Sequence, residues 1–283
     1  MLDFGIVDGH VHLWDPIRLR YPWLGGNELL NRAYLSEDYE RAVGPIKVEK
    51  IVFMQAECEP SQYKEEVAFV SEEALRYPKL KGIVAWAPLE KGLEAEEELS
   101  ELAQNPLVRG VRRIIQFEQD LEFCLKPDFI AGVKLLPKYG FTFDICIDWR
   151  HMKNTVKFVE KCPEVSFVLD HIGKPDIRVG MTEPWKSGLK DLSTFSNMIC
   201  KVSSLATEAD HKNWTPEQLR PYVDWVFTHF GFERTTFAGD WPVSAQAAAY
   251  PVCVNTLQDL LPGASDDQLY KLFRSNAESF YRV

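Results

Sequence analysis

The residues of this chain best suited to chemistry start in Ile6-Val7-Asp8-Gly9-His10-Val11-His12-Leu13-Trp14. His10 and His12 close an apolar run and lie two residues apart. On a strand, such a pair points to one face, so both imidazoles reach into one space. Histidine is the commonest metal ligand and titrates nearest neutral pH. The pair by itself is equally compatible with a functional site and with a chance repeat on a half-exposed strand. Two more residues shift that balance. His171 ends a later apolar stretch, and Asp240 ends another. Three histidines and an aspartate could hold one divalent ion with room for water. Without metal, Asp240 could act as a general base and the histidines as donors to a developing oxyanion.

Positioning these four residues requires a particular scaffold. Strand-like stretches cover residues 5–13, 50–57, 80–89, 108–116, 142–147, 166–172, 197–205 and 235–240, with helix-like stretches between most of them. Helical spacing predicts helices over 62–76, 93–103, 127–138, 152–161, 184–195, 216–230, 245–260 and 266–280. Residues 14–45, rich in Pro, Gly, Tyr and Trp, read as an insertion after the first strand that either shapes a site or only caps the barrel. Mostly apolar strands interleaved with helices argue for buried parallel strands. Eight of them fit one (β/α)8 TIM barrel, of the α/β class, as a single domain over 1–283. An open doubly wound sheet would want a Gly-rich phosphate turn after the first strand, and Asp8-Gly9-His10-Val11-His12 is not one. In a barrel, His10, His12, His171 and Asp240 all fall at the C-terminal strand ends, which share one mouth.

Composition narrows the function. The 283 residues carry 32 Lys+Arg against 42 Asp+Glu, a formal charge of −10. That balance offers no footprint for nucleic acid or an anionic membrane surface. No apolar run is long enough to span a membrane, and Met1-Leu2-Asp3-Phe4 is not the start of a signal peptide. Cysteines 58, 124, 146, 162, 200 and 253 are scattered without metal-site spacing, which suits reduced core thiols and a cytoplasmic protein. Nothing in the sequence indicates an oligomeric state.

Other polar strand residues are candidates for holding substrate. Alternation puts Arg112 and Gln116 on one face and Arg109 and Arg113 on the other, and Arg112 with Gln116 are expected inside. Gln55, Asp144 and Lys174 are further candidates. Trp14, Trp86, Trp149 and Trp241 lie near strand ends, where aromatics suit a sugar's apolar face or simply pack. His151, His211 and His229 read as surface or packing residues, although His211 could border the mouth.

Val7-Asp8-Gly9-His10-Val11-His12-Leu13-Trp14-Asp15-Pro16, Gly110-Val111-Arg112-Arg113, Leu169-Asp170-His171-Ile172-Gly173-Lys174-Pro175 and Gly239-Asp240-Trp241-Pro242 together resemble the amidohydrolase superfamily. More narrowly, they are similar to its amidohydrolase-2 branch of sugar lactonases, L-fuconolactonase-like and L-rhamnonolactonase-like. The resemblance implies a distorted (β/α)8 barrel and hydrolysis at a carbonyl, with water activated at Asp240 and His10, His12 and His171 around it. The chain departs from the metal-rich members. Strand four reads Arg112-Arg113-Ile114-Ile115-Gln116 and carries no bridging Lys or Glu, and strand five carries no His. One divalent metal, zinc before others, held by His10, His12, His171 and Asp240, or no metal at all, is the expectation.

The expected activity is ring opening of a small-molecule sugar lactone. Arg112, Gln116, Lys174, Gln55 and Asp144 would contact substrate. Two alternatives stand beside it: a metal-dependent decarboxylase of aromatic or muconate-type acids on the same barrel, and a barrel that only binds a ligand.

Overall fold

A computed structural model describes residues 2–283. Eight parallel strands form one sheet in sequence order: β1 (Ile6–Val11), β2 (Val48–Met54), β3 (Leu80–Ala85), β4 (Val108–Arg112), β5 (Thr142–Ile145), β6 (Phe167–Leu169), β7 (Met198–Val202) and β8 (Thr235–Phe237). The sheet closes on itself beyond β8. The His12 amide donates to the Trp241 carbonyl and the Asp240 amide to the His10 carbonyl, each at 2.8 Å. The result is the (β/α)8 barrel expected. Around it lie α1 (Ser36–Val43), α2 (Tyr63–Arg76), α3 (Glu96–Leu102), α4 (Pro127–Val133), α5 (Met152–Lys161), α6 (Trp185–Leu192), α7 (Pro216–Phe230), α8 (Tyr250–Asp259), α9 (Asp266–Tyr270) and α10 (Asn276–Tyr281).

Alternation along the strands builds two cores. On β2, Ile51 and Phe53 face the helices and join the large outer core. Val52 and Met54 turn inward and pack with Val84, Val168 and Tyr281 inside the barrel. Tyr281, at the end of α10, plugs the interior, and its hydroxyl donates to Asp144 Oδ2 at 2.6 Å.

Strands end earlier than the sequence suggests, because the residues after them turn into the mouth rather than extending the ladder. Residues 14–45 are not a pure loop either. Helix α1 occupies Ser36–Val43, with the Asp38 side chain accepting the Leu35 amide at its start. Leu35 is an uncommon residue at a helix start, which is why the boundary is hard to read. The remainder is held by an antiparallel bridge from Trp14 to Tyr34, and by the Trp14 indole donating to the Arg32 carbonyl at 2.9 Å.

Candidate active site

At the C-terminal end of the barrel, His10 and His12 project from the end of β1. His171 follows β6 and Asp240 follows β8. Their ring and carboxylate atoms converge. His10 Nε2 lies 3.1 Å from His12 Nε2, and Asp240 Oδ1 lies 3.4 Å from the first and 3.3 Å from the second. His171 Nε2 is 3.9 Å from the same oxygen. All four residues are buried.

Backbone geometry sets this convergence. His171, Lys174, Ser204, Asp240 and Glu57 all adopt left-handed φ angles between 45° and 54°. For side chains with a Cβ, that conformation costs about 1–3 kcal/mol each and persists where the surroundings enforce it. All five lie just past strand ends. The Ser204 hydroxyl donates to Asp240 Oδ2. Gly239, before Asp240, has no room for a side chain, since a Cβ there would lie 2.4 Å from Asp8 Oδ2.

Asp8 is itself a brace. Simple alternation would send it inward with His10. A register shift between Asp8 and Val11 turns it outward instead. Its Oδ1 accepts the Gly239 amide at 2.7 Å and the His10 amide at 3.1 Å. Its Oδ2 accepts the hydroxyls of Tyr39 at 2.8 Å and Tyr250 at 3.0 Å. One carboxylate thereby ties the chain before His10 to the chain before Asp240. Burial raises its pKa to about 6, against these four hydrogen bonds.

Beneath the histidines lies an ionic layer in which sequence reasoning named Arg112 and Asp144, as substrate contacts, and missed Lys201 and Asp170. Lys201, fully buried on β7, contacts Asp144 Oδ2 at 2.6 Å, Asp170 Oδ1 at 2.9 Å and His10 Nδ1 at 3.2 Å. Arg112 reaches Asp170 Oδ2 at 3.2 Å, donates to the Gln55 carbonyl at 2.6 Å and lies 3.2 Å from His10 Nε2. Two cations face two carboxylates, so the layer is neutral. Lysine on a strand ordinarily reads as solvent-facing. Only its place one residue before the end of β7 hints at the mouth.

Electrostatics fix the protonation states. Burial holds His10 and His12 below the usual histidine range. It takes His171 to about 3, opposed by Asp240 and aided by Lys174 and Arg112. Burial thus favours neutral rings. Burial opposes ionisation of Asp240; the charge of a protonated His171, a hydrogen bond from His12 and the charges of protonated His10 and His12 lower the carboxyl's pKa. His12 Nδ1 lies 2.8 Å from the Met54 carbonyl, which can only accept, so the proton of this neutral ring sits on Nδ1. Its Nε2 therefore presents a lone pair to the site. In that tautomer His12 presents no proton to an oxyanion.

That tautomer bears on metal binding. His10 Nδ1 lies 3.5 Å from Asp170 Oδ1, which Lys201 Nζ reaches at 2.9 Å, and 3.2 Å from that ammonium itself. The His10 Nε2 lies 3.2 Å from the Arg112 guanidinium, so donors approach both ring nitrogens and either can carry the lone pair. His10 Nε2, His12 Nε2 and Asp240 Oδ1 face one another at 3.1–3.4 Å. Donors about 2.0–2.1 Å from a tetrahedral ion stand about 3.3 Å apart. Of the four ligands expected, His10, His12 and Asp240 fit one divalent metal, while His171 Nε2 stands farther off, 3.9 Å from Asp240 Oδ1. The position on β4 where a bridging ligand would be needed for a second ion holds Arg112.

His12, His171 and Asp240 form the floor of a cleft open to solvent. Trp23, Trp86 and Phe117 give it an apolar wall, and Glu57, Arg112, Gln116 and Lys174 polar points. Arg112 faces inward, whereas Arg113 turns out to Glu90 and Glu118. Lys174 Nζ has no carboxylate or hydrogen-bond partner among the described residues. Two expected substrate contacts do not reach the cleft. Asp144 is level with Val168 in the strand register, deep in the interior, and is held by Lys201 and Tyr281. Gln55 is fully buried and turns its amide to Glu57. The insertion contributes Pro22 and Trp23 to the wall. Of the aromatics, Trp86 lines the cleft, while Trp14 and Trp241 are core. His151 is buried against Asp148, His229 packs on Trp225, and His211 borders a neighbouring polar cleft.

The Amidohydrolase family model matches residues 7–283, nearly the whole chain. The chain belongs to the Amidohydrolase family. This amidohydrolase is 28% identical to an L-fucono-1,5-lactonase of Burkholderia ambifaria, over 98% of this chain and 95% of the relative. It is 25% identical to an L-rhamnono-gamma-lactonase of Scheffersomyces stipitis, with both chains fully covered. Among solved structures, an amidohydrolase of Burkholderia multivorans with bound zinc superposes with a TM-score of 0.88 at 26% identity, covering 99% of this chain and all of the other. The family membership makes the protein a hydrolase.

Proposed function

We propose that this hydrolase opens the ring of a sugar lactone, giving the sugar acid. The observation that carries the reading is Asp240, its Oδ1 within 3.3–3.9 Å of three histidines, beneath a cleft with one aromatic wall. The lactonase names of two relatives support the same reaction. The apolar faces of sugars suit aromatic walls such as Trp23 and Trp86.

In this reading Asp240 accepts a proton from water as the oxygen attacks the ring carbonyl. The carbonyl electrons move onto oxygen, and donors facing the cleft, the Arg112 guanidinium and His171, stabilise the oxyanion. The His171 ring donates from Nε2 when Ser203 Oγ, 2.8 Å from Nδ1, supplies the other hydrogen bond. As the tetrahedral centre collapses, the bond to the ring oxygen breaks and Asp240 returns its proton to that oxygen. Lys174, an unpaired ammonium, then faces the new carboxylate. A divalent ion on His10, His12 and Asp240, zinc by the character of those donors, would make the water more acidic and polarise the carbonyl.

The test is a panel of five- and six-membered sugar lactones, followed by acid release and by product mass. The expected result is acid release with a product heavier by one water. Carbon dioxide release from an aromatic or muconate-type acid, with every lactone inert, overturns the proposal.

A further inference from the structure

Glu57 is a carboxylate in the cleft that the proposed reaction does not use. It sits three residues past β2 with φ at 54°. Its Oε1 accepts the Gln55 amide at 2.7 Å, and its own backbone amide donates back to Gln55 Oε1 at 2.7 Å. Gln55 is in turn fixed through its carbonyl by Arg112, at 2.6 Å, and the Ala56 amide is held by the buried Glu66 at 3.1 Å. Glu57 Oε2 has no partner among the described residues. A strained backbone, locked by a reciprocal amide pair, thus presents one unpaired carboxylate oxygen to the cleft. Beside it stand Trp23, Trp86 and Pro60. The Trp23 indole donates to the Ala56 carbonyl at 2.7 Å, so the aromatic wall and the carboxylate are built on the same turn.

We infer that Glu57 is a specificity residue that accepts ring hydroxyls of the substrate and turns away lactones carrying a free carboxylate. The inference rests on the lactonase reading. An anionic acceptor beside an aromatic face matches a sugar ring, whose hydroxyls donate at its edge and whose C–H face stacks on the indole. The same charge repels an anionic substituent, so it both attracts one substrate class and excludes another. Lys174 does not cancel this selection. Its ammonium lies in the field of Cys146, Glu208 and Asp240, and in the proposed reaction it meets the carboxylate that appears only in the product.

The experiment compares a neutral hexonolactone with the lactone of the same ring whose terminal carbon is a carboxylate, for wild type, Glu57→Gln and Glu57→Asp. Wild type should favour the neutral lactone. Glu57→Gln should lose about 10–100-fold in kcat/KM on it, mainly through KM. The ratio between the two lactones should shrink at least about tenfold, because the amide no longer repels an anion, and Glu57→Asp should keep the preference. Neutral lactones lacking one ring hydroxyl at a time provide a readout in wild type itself. One of them should lose about tenfold in wild type and little in Glu57→Gln. An unchanged ratio in Glu57→Gln, or equal losses for every deoxy lactone in both proteins, overturns the role of Glu57 alone. Wild-type protein that opens neither lactone overturns the lactonase reading and this inference with it.

Discussion

Replacing Lys201 by Met keeps the length of the side chain and removes its charge from the barrel interior. The wild-type ammonium is 2.6 Å from one carboxylate and 2.9 Å from another. At an effective dielectric of about 20, each contact contributes about 6 kcal/mol of attraction. Desolvation of three ions offsets much of that. What remains after deletion is decided by the stranded partners. Asp170 keeps Arg112 at 3.2 Å, but Asp144 keeps only the Tyr281 hydroxyl. Asp144, whose pKa is already raised to about 6 by burial, would be an ion with no counter-ion. Breaking a buried pair in this way costs about 3–5 kcal/mol. The Lys201→Met, Asp144→Asn double variant removes both charges and should recover at least about 2 kcal/mol of that loss. Urea unfolding at neutral pH, with the slope of the transition compared across variants, measures both. A Lys201→Met cost below about 1 kcal/mol, or a double variant no more stable than the single, refutes the reasoning.

Three further outcomes follow from the structure. Burial raises the Glu66 carboxyl from 4.5 to about 8. The folded protein then holds a proton that the unfolded chain releases, so Glu66 destabilises progressively as pH rises from about 4.5 to 8. Glu66→Gln should gain on wild type by about 1.4 kcal/mol per pH unit in that window; parallel profiles in denaturant titrations would show the carboxyl is not so perturbed. Gly239→Ala should cost about 1–3 kcal/mol and most of the turnover, since the added Cβ collides with Asp8 and Tyr250 beside Asp240; a variant with parent-like melting and rate contradicts the brace. Metal analysis should find at most one divalent ion per chain, and His12→Gln should weaken zinc binding by at least about tenfold, read as a lost thermal shift on zinc addition. Two ions per chain, or undiminished binding in the variant, contradicts the lone-pair argument.

The barrel was legible because apolar strands and helices alternate along the whole chain. The convergence of His10, His12, His171 and Asp240 was legible because a parallel barrel gathers strand ends. Residues whose role depends on register were not. Asp8 looks inward by alternation and is turned outward by one register shift. Asp144 shares the inward face with site residues but lies at the depth of Val168, below the cleft. Lys201 looks like a surface residue until its two carboxylates, 57 and 31 positions away in sequence, are seen around it. Glu57 and Trp23 come from loops whose course the sequence pattern does not encode. Gln55, chosen for its place at a strand end, turned out to orient its neighbour.

The central claim is that Asp240 moves the proton in lactone opening. The direct test is single-turnover and steady-state acid release from the best lactone of the panel by wild type and Asp240→Asn, with circular dichroism and melting as fold controls. The asparagine keeps the shape and cannot take the proton, so turnover should fall by at least about a thousandfold with the fold unchanged. A folded Asp240→Asn protein that releases acid at the wild-type rate would contradict the account.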